Sequence, residues 1–533
     1  MRARSHWGWG WADRFPDATG QDGLARMVRA ALRLEPGPPA RPLPLDQVVL
    51  PAPRVGVPAG LATFVTADRE ARVHHTYGRA FLDQLRGFAG DFATAPDLVA
   101  RPRDEAEVEA ILDWAVGARV AVVPYGGGTT VVRGVEYDGA GHAGVLSLDL
   151  GAMNAVLEVD DVSRLARIQA GATGPALEAG LAEQGLTLRH FPQSFEFSTL
   201  GGWIATRAGG HFATVYTHID DLVAGLRMLT PGAGVYATRC LPGSGAGPSP
   251  DRLVLGSEGT LGVITEAWMR VRPRPRFRAS VGACFTDFEH AVAAARDLAQ
   301  SGLFPTNCRL LDRREATLHQ VVTDGSHVLL VGFESADHPL HASLDRALQI
   351  VMDRGGSCPR PPTVRDDGEA GRDAAAGAWR DAFLEGPYLQ SVLLSLGFVI
   401  DTFETACTWR AFPALHAAVV SQVRDAMKVH CGGGRLTCRF THVYPDGPAP
   451  YYTFVAPGRP GGRAEQWAAI KAAASDALLA QGGTITHHHA VGRTHRPWYD
   501  RQRPEPFAAA LRAAKHALDP AGVLNPGVLI DGD

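Results

Sequence analysis

The chain has 533 residues, 45% hydrophobic and 20% charged, which is too long for one small domain and ample for two or three with full cores. A formal net charge of −4 gives no electrostatic case for nucleic acid, and none is expected as a partner. Seven scattered cysteines without a CxxC pair argue against a disulfide framework or structural zinc. With no apolar run of spanning length visible, a cytoplasmic protein is expected.

In chain order, residues 1–93 read as a helical and extended segment. It opens with Trp7, Trp9 and Trp11 and continues through the proline-rich stretch Pro36–Pro53. The tryptophans suit either a membrane-facing or dimer surface, or packing beneath another part of the fold. From residue 94 to 275 the pattern sharpens. Asp104–Val116 is expected to be a helix, with apolar residues at Val108, Ile111, Leu112 and Ala115. Strands are expected at Val120–Val123, Gly144–Leu150, Ala166–Ala170, Leu222–Leu229 and Val263–Val271, with a helix at Pro175–Gly185.

From 276 to 490 a new alternation begins, with strand Ala279–Phe285, helix Phe288–Gly302, strand Val328–Phe333 and helix Ala342–Arg354. It is read as a separate α+β unit. Composition predicts a mobile loop over 356–378, and a last helix, Pro506–Leu518, lies within a C-terminal segment, 491–533. No internal sequence repeat is found.

Three stretches carry a binding signal. The strand at Val120 runs directly into Pro124-Tyr125-Gly126-Gly127-Gly128-Thr129-Thr130. Consecutive peptide N–H groups in such a turn can form a nest for a pyrophosphate, with glycine allowing close approach; a plain turn is the alternative. It is not the GxGxxG of a Rossmann unit. Pro192, Ser194, Ser198, Thr199, Gly201, Gly202 and Thr206 form the second stretch, and Glu258, Gly259, Gly262, Val263 and Ile264 the third. Both join Gly, Ser and Thr to an apolar continuation, which suits wrapping a dinucleotide.

The chemical signal is His487-His488-His489, inside Gly482–Gly492. On an extended strand, His487 and His489 would point one way and His488 the other. Histidine titrates nearest neutrality, so the run reads as proton-transfer equipment. A surface run and a metal site are the alternatives. No Cys or carboxylate cluster at ligand spacing supports a metal, and none is expected.

PYGGGTT, the PxS…STLGG segment and GSEGTLGVIT, in this order, resemble the FAD-binding domain of the vanillyl-alcohol-oxidase (PCMH-type) superfamily. Within it the chain is most similar to the alkyldihydroxyacetonephosphate synthase family, through EFSTLGGWIATRAGG, GSEGTLGVITEA, Arg309-Leu310-Leu311-Asp312, Phe403-Glu404-Thr405-Ala406, Thr437-Cys438-Arg439, Tyr451 and HHHAVG.

The resemblance implies an α+β flavoenzyme: a PCMH-type FAD domain at 94–275 and a substrate cap at 276–490, with 491–533 returning to the FAD domain. It implies an exchange of the acyl group of acyl-dihydroxyacetone phosphate for a long-chain alcohol through a flavin N5 adduct. Tyr451, His487, His488, His489 and Arg309 match the family's functional residues. A homodimer and peripheral membrane contact are expected with it.

One departure stands out. Where the family has Tyr-x-Arg-Asp, this chain reads Tyr388-Leu389-Gln390-Ser391, and glutamine has neither the charge nor the fork of arginine. Gln390 and Arg439 are carried as candidate substrate residues, with Arg380 and Arg493 as further cations that could take an anion. The flavin loop offers no His or Cys for attachment, so noncovalent FAD is expected. An FAD-dependent oxidase or dehydrogenase of a hydroxy acid or alcohol is the alternative reading, because one fold serves many such reactions.

Overall fold

Asp104 accepts a hydrogen bond from the Glu107 amide at 3.0 Å and starts the helix Glu105–Ala118. Such a cap is worth about 1 kcal/mol. Val108, Ile111, Leu112 and Ala115 form its buried stripe. The computed structural model describes residues 2–37, 40–366 and 374–530. The helix links Leu98–Ala100 to Val120–Tyr125, and both strands pair in parallel with Gly144–Asp149 between them. Val65–Thr66 completes this four-stranded sheet on its Leu98 edge. A second, antiparallel sheet has the order Val156–Asp160, Leu165–Gln169, Val263–Arg270, Val223–Thr230, Gly234–Ala237. One apolar cluster, including Ile111, Leu146, Ile168, Met228 and Val263, joins the two sheets.

The cap is built on one seven-stranded sheet. Its order is Thr363–Arg365, Phe277–Phe285, His327–Ser335, Asn307–Leu311, Arg435–Val443, Pro448–Pro457, Phe398–Glu404. Two split βαβ motifs lie side by side within it. The first uses helices Phe288–Gln300 and His341–Asp353; the second uses Phe412–Cys431 and Arg463–Ala480. The sequence shows no repeat, yet the topology repeats. The two motifs meet where Leu311 faces Arg439, which puts Arg309 and Arg439 on neighbouring central strands.

The chain end then returns to the first unit. The Val122 amide donates to Val523 O at 2.8 Å and the Asn525 amide to Val122 O at 2.9 Å. Buried Lys515 pairs with Asp519 at 2.5 Å and donates to Thr260 O and Leu524 O.

Two expectations change. In the stretch 356–378, Thr363–Arg365 forms an edge strand and a long helix, Ala374–Ser395, is already under way by 378; 367–373 lie outside the described residues. Trp7 and Trp9 are buried: Trp7 packs on Phe88 and the cap cluster, and Trp9 packs with Phe197 and Tyr388. For Trp7 and Trp9 packing is the use found, while Trp11 stays partly exposed.

Candidate active site

The glycine loop owes its composition to a close approach. A Cβ on Gly127 would lie 1.9 Å from the Phe197 carbonyl oxygen, and one on Gly126 would lie 2.2 Å from Thr199 Oγ1. The first two binding stretches therefore touch, and only glycine permits it. The second stretch is not all loop: Thr199 caps a short helix, Leu200–Thr206. These stretches form one wall of a cavity together with Glu258, Gly259, Gly262 and Ile264. Arg309, Gln390, Arg439, His442, Tyr451, His488 and His489 line it from the cap side. Val263 does not line it, being fully buried in its strand opposite Leu229.

The histidine run is not a strand. Glu404, 1% exposed at the end of Phe398–Glu404, gathers it into a bent turn. Its Oε2 accepts from the His487 amide at 2.6 Å; its Oε1 accepts from the amides of His488 at 3.2 Å and His489 at 3.0 Å and from Thr486 Oγ1 at 2.6 Å. Burial opposes charge on Glu404, but the imidazoles and the Thr486 hydroxyl outweigh it and hold the carboxyl below its usual range. The turn is fixed from its other end by Glu258, whose two oxygens accept from the Val491 and Gly492 amides, each at 2.8 Å. Glu258, expected as a cofactor residue, lines the cavity as well as holding the histidine turn, and burial raises its carboxyl to about 7.

The bend separates the three rings. His488 and His489 face the cavity. His487 turns away from it, with Nε2 2.6 Å from the Tyr444 hydroxyl and 3.1 Å from His218 Nε2, and Nδ1 3.0 Å from His488 Nδ1. Burial pushes His487 and His489 well below the usual imidazole range and lowers His488, so these rings are neutral at pH 7. A bulge at Phe440–His442 lets consecutive Thr441 and His442 both line the cavity. His442 Nε2 donates to Gly210 O at 3.2 Å, while its buried Nδ1 has no partner. His442, His487 and His488 bring ring nitrogens within 4.8 Å of one another, so a third metal-type ligand missing from local spacing arrives from another strand.

Tyr451 sits at the centre of the cap wall, paired in register with Arg439 on one side and Glu404 on the other. Its ring lies parallel to His488 at 6.0 Å and edge-on to His489 at 5.4 Å. Burial raises its phenol, so it stays protonated, although Arg439 acts against the rise. Arg439 binds Glu315 at 2.6 Å. Arg309 has no acid beside it among the described residues; it donates to His211 O at 3.1 Å, lies 5.2 Å over the Phe383 ring, and is lowered to about 10 by burial and by Arg439.

The Gln390 amide is turned to Ile400 O at 3.4 Å. Its neighbours hold the N-terminal arm: Tyr388 OH accepts from the Trp11 amide at 3.0 Å and Ser391 Oγ from the Trp9 amide at 3.1 Å. Arg493 does not reach the cavity and donates to Glu136 O and Pro526 O; the Arg380 side chain lies outside the described residues. Sequence reasoning missed Glu404 and His442 as site residues. Glu404 was in view as part of a family segment, but nothing local to it signals a partner 83 residues on.

The comparisons agree with this geometry. Residues 96–238 match the family "FAD binding domain" and residues 274–529 match "FAD linked oxidases, C-terminal domain". The structure superimposes on p-cresol methylhydroxylase with a TM-score of 0.65 at 17% identity, covering 96% of this chain and 98% of that one. Fold and site thus define an FAD-dependent enzyme with a PCMH-type flavin domain.

The likeness narrows further. The alkyldihydroxyacetonephosphate synthase of Dictyostelium discoideum is 32% identical over 483 residues, 87% of this chain and 78% of that protein. A solved alkyldihydroxyacetonephosphate synthase gives a TM-score of 0.79 at 25% identity, covering 98% of each chain. The chain belongs to the alkyldihydroxyacetonephosphate synthase family.

Proposed function

We propose that the protein exchanges the acyl group of acyl-dihydroxyacetone phosphate for a long-chain alcohol, releasing the fatty acid and forming an ether with no net redox change. The observation that carries this reading is the meeting of Tyr451, His488 and His489 on one cavity opposite the glycine loops. The loop at 126–130 and the stretches 192–206 and 258–264 would hold FAD noncovalently. They fit such a group because the Gly126–Gly128 backbone stands bare at the cavity, with Thr129 and Thr130 beside it. Bound FAD supplies a nucleophilic N5, which allows one hard displacement to be split into two easier ones.

In this reading, neutral His488 takes the proton next to the substrate ketone, a role in which a positioned base contributes about 10²–10⁴-fold. Glu404 keeps that imidazole in place. Tyr451, held protonated, donates to the departing carboxylate. Arg309 takes the phosphate, since the charge of Arg439 is engaged by Glu315. The same reading divides the chain into an N-terminal segment 1–93, a flavin domain 94–275, a cap 276–490 and a C-terminal segment 491–533. It also carries homodimer formation and contact with a membrane surface. Among the described residues no helix is long and apolar enough to cross a membrane.

Gln390 favours a second reading, in which no phosphate has to be met at that position and His488 takes the hydroxyl proton of a hydroxy acid or alcohol being oxidised. The test is a product assay with palmitoyl-dihydroxyacetone phosphate and labelled hexadecanol. Labelled ether supports the synthase; no ether, with reduction of an electron acceptor by a hydroxy acid, supports the oxidase.

A further inference from the structure

Two guanidinium groups lie at the glycine loop without an ion pair; Asp83, the acid that acts on Arg79, accepts from the Ala80 amide and is pushed up to about 7 by burial. Arg79, 5% exposed, lines the cavity there. Its backbone amide donates to Thr130 O at 2.6 Å, its Nη1 to Gly78 O at 2.7 Å and its Nη2 to Ser5 O at 3.3 Å, while its Nε is buried without a partner. Arg4, on the N-terminal arm, donates from Nη2 to Gly127 O at 3.2 Å and stacks 4.3 Å over Phe197; its Nε is also buried without a partner. Neither makes an ion pair among the described residues.

Carbonyl partners orient a guanidinium but do not cancel its charge. Buried, unpaired charges are costly, and two of like sign side by side are worse. The arrangement becomes favourable when an anion enters, and charge-assisted bonds from arginine are the strong way to hold phosphate oxygens. The anion that a flavin dinucleotide brings to a glycine loop is its pyrophosphate, which carries two negative charges.

We infer that Arg79 is the counter-cation of the FAD pyrophosphate and that Arg4 is a positioning residue that clamps the Gly127 carbonyl, making the N-terminal arm part of the cofactor site. The inference rests on FAD occupying this cavity. It explains the arm's anchoring on Tyr388 and Ser391 of the cap: the strap that carries Arg4 is fastened at its far end. The arm thereby links cofactor binding to the seating of the cap.

The test uses full-length protein stripped of flavin, with FAD affinity read by fluorescence titration and unfolding temperature read with and without FAD. Arg79→Gln is expected to weaken FAD binding at least about tenfold and Arg4→Gln by about threefold to tenfold, as loss of one charge-assisted contact implies. Arg79→Lys restores part of the affinity. The flavin-free Arg79→Gln protein unfolds no earlier than wild type, because the change relieves a buried charge.

FAD affinity within twofold of wild type for both glutamine variants overturns the inference. So does a flavin-free protein that unfolds earlier while its FAD-induced stabilisation is unchanged, since that marks a purely structural arginine. Unchanged FAD affinity with a raised KM for the phosphate-bearing substrate assigns the charge to substrate instead and also overturns it. If Arg79→Gln does not fold, Arg4→Gln on the arm decides alone. Failure of wild type itself to bind FAD would refute the flavin reading rather than this one.

Discussion

Arg439 and Tyr451 face each other across adjacent antiparallel strands, with the guanidinium carbon 3.9 Å above the phenol ring. The same guanidinium binds buried Glu315, so one side chain ties the catalytic candidate to the cap core. Arg439→Gln strips the ring of its cation and leaves Glu315 buried without its guanidinium. We expect a loss of about 3–5 kcal/mol, the usual cost of breaking a buried pair from one side. Urea unfolding measures it, and the double variant Arg439→Met with Glu315→Gln should be less destabilised than Arg439→Gln.

Glu404→Gln tests the histidine turn. A glutamine offers one acceptor oxygen and presents an NH2 group to donors that now meet a carboxylate. The expected result is a loss of at least about 2 kcal/mol in stability together with a fall in kcat as His488 loses its fixed place. Flavin content stays at the wild-type level, because Glu404 is not at the glycine loop.

Gly127→Ala should do the reverse. The added methyl cannot fit 1.9 Å from a backbone oxygen, so the loop must shift away from the Phe197 segment. The purified variant is expected to carry less flavin per chain than wild type, by absorbance, while the cap folds normally by far-ultraviolet circular dichroism.

The buried histidines give a pH signature. His190 touches Trp203, has no partner on either ring nitrogen, and is lowered to about 3 by burial. A histidine whose folded value lies below its unfolded value of about 6.5 contributes its full stability above pH 6.5. That contribution is lost as pH falls from there towards about 3. Unfolding followed from pH 7 to 4 should show falling stability, with a shallower fall in His190→Phe. For the same reason the acid limb of the activity profile, set by His488, should lie below pH 6.5 rather than at it.

What the sequence made legible was local or carried by family motifs. Asp104 announced its helix because cap and apolar spacing sit within one segment, and the strand entering Gly126–Gly128 was clear for the same reason. The strand reading of His487–His489 failed because the turn is shaped by Glu404, 83 residues before His487, which nothing nearby records. His442 and Arg79 were hidden likewise: a bulge brings one to the cavity, and a contact with the N-terminal arm orients the other. The repeated topology of the cap left no sequence repeat, because strand pairing needs only alternating apolar residues, which many sequences supply.

The most direct test of the central claim is an anaerobic mixing of the flavoprotein with palmitoyl-dihydroxyacetone phosphate, following flavin absorbance and palmitate together. Bleaching with stoichiometric palmitate release is expected, then recovery of the yellow form and an ether product when hexadecanol is added without any electron acceptor. An unchanged spectrum with no palmitate, alongside bleaching by a hydroxy acid or alcohol that reverses only with an acceptor, would contradict it.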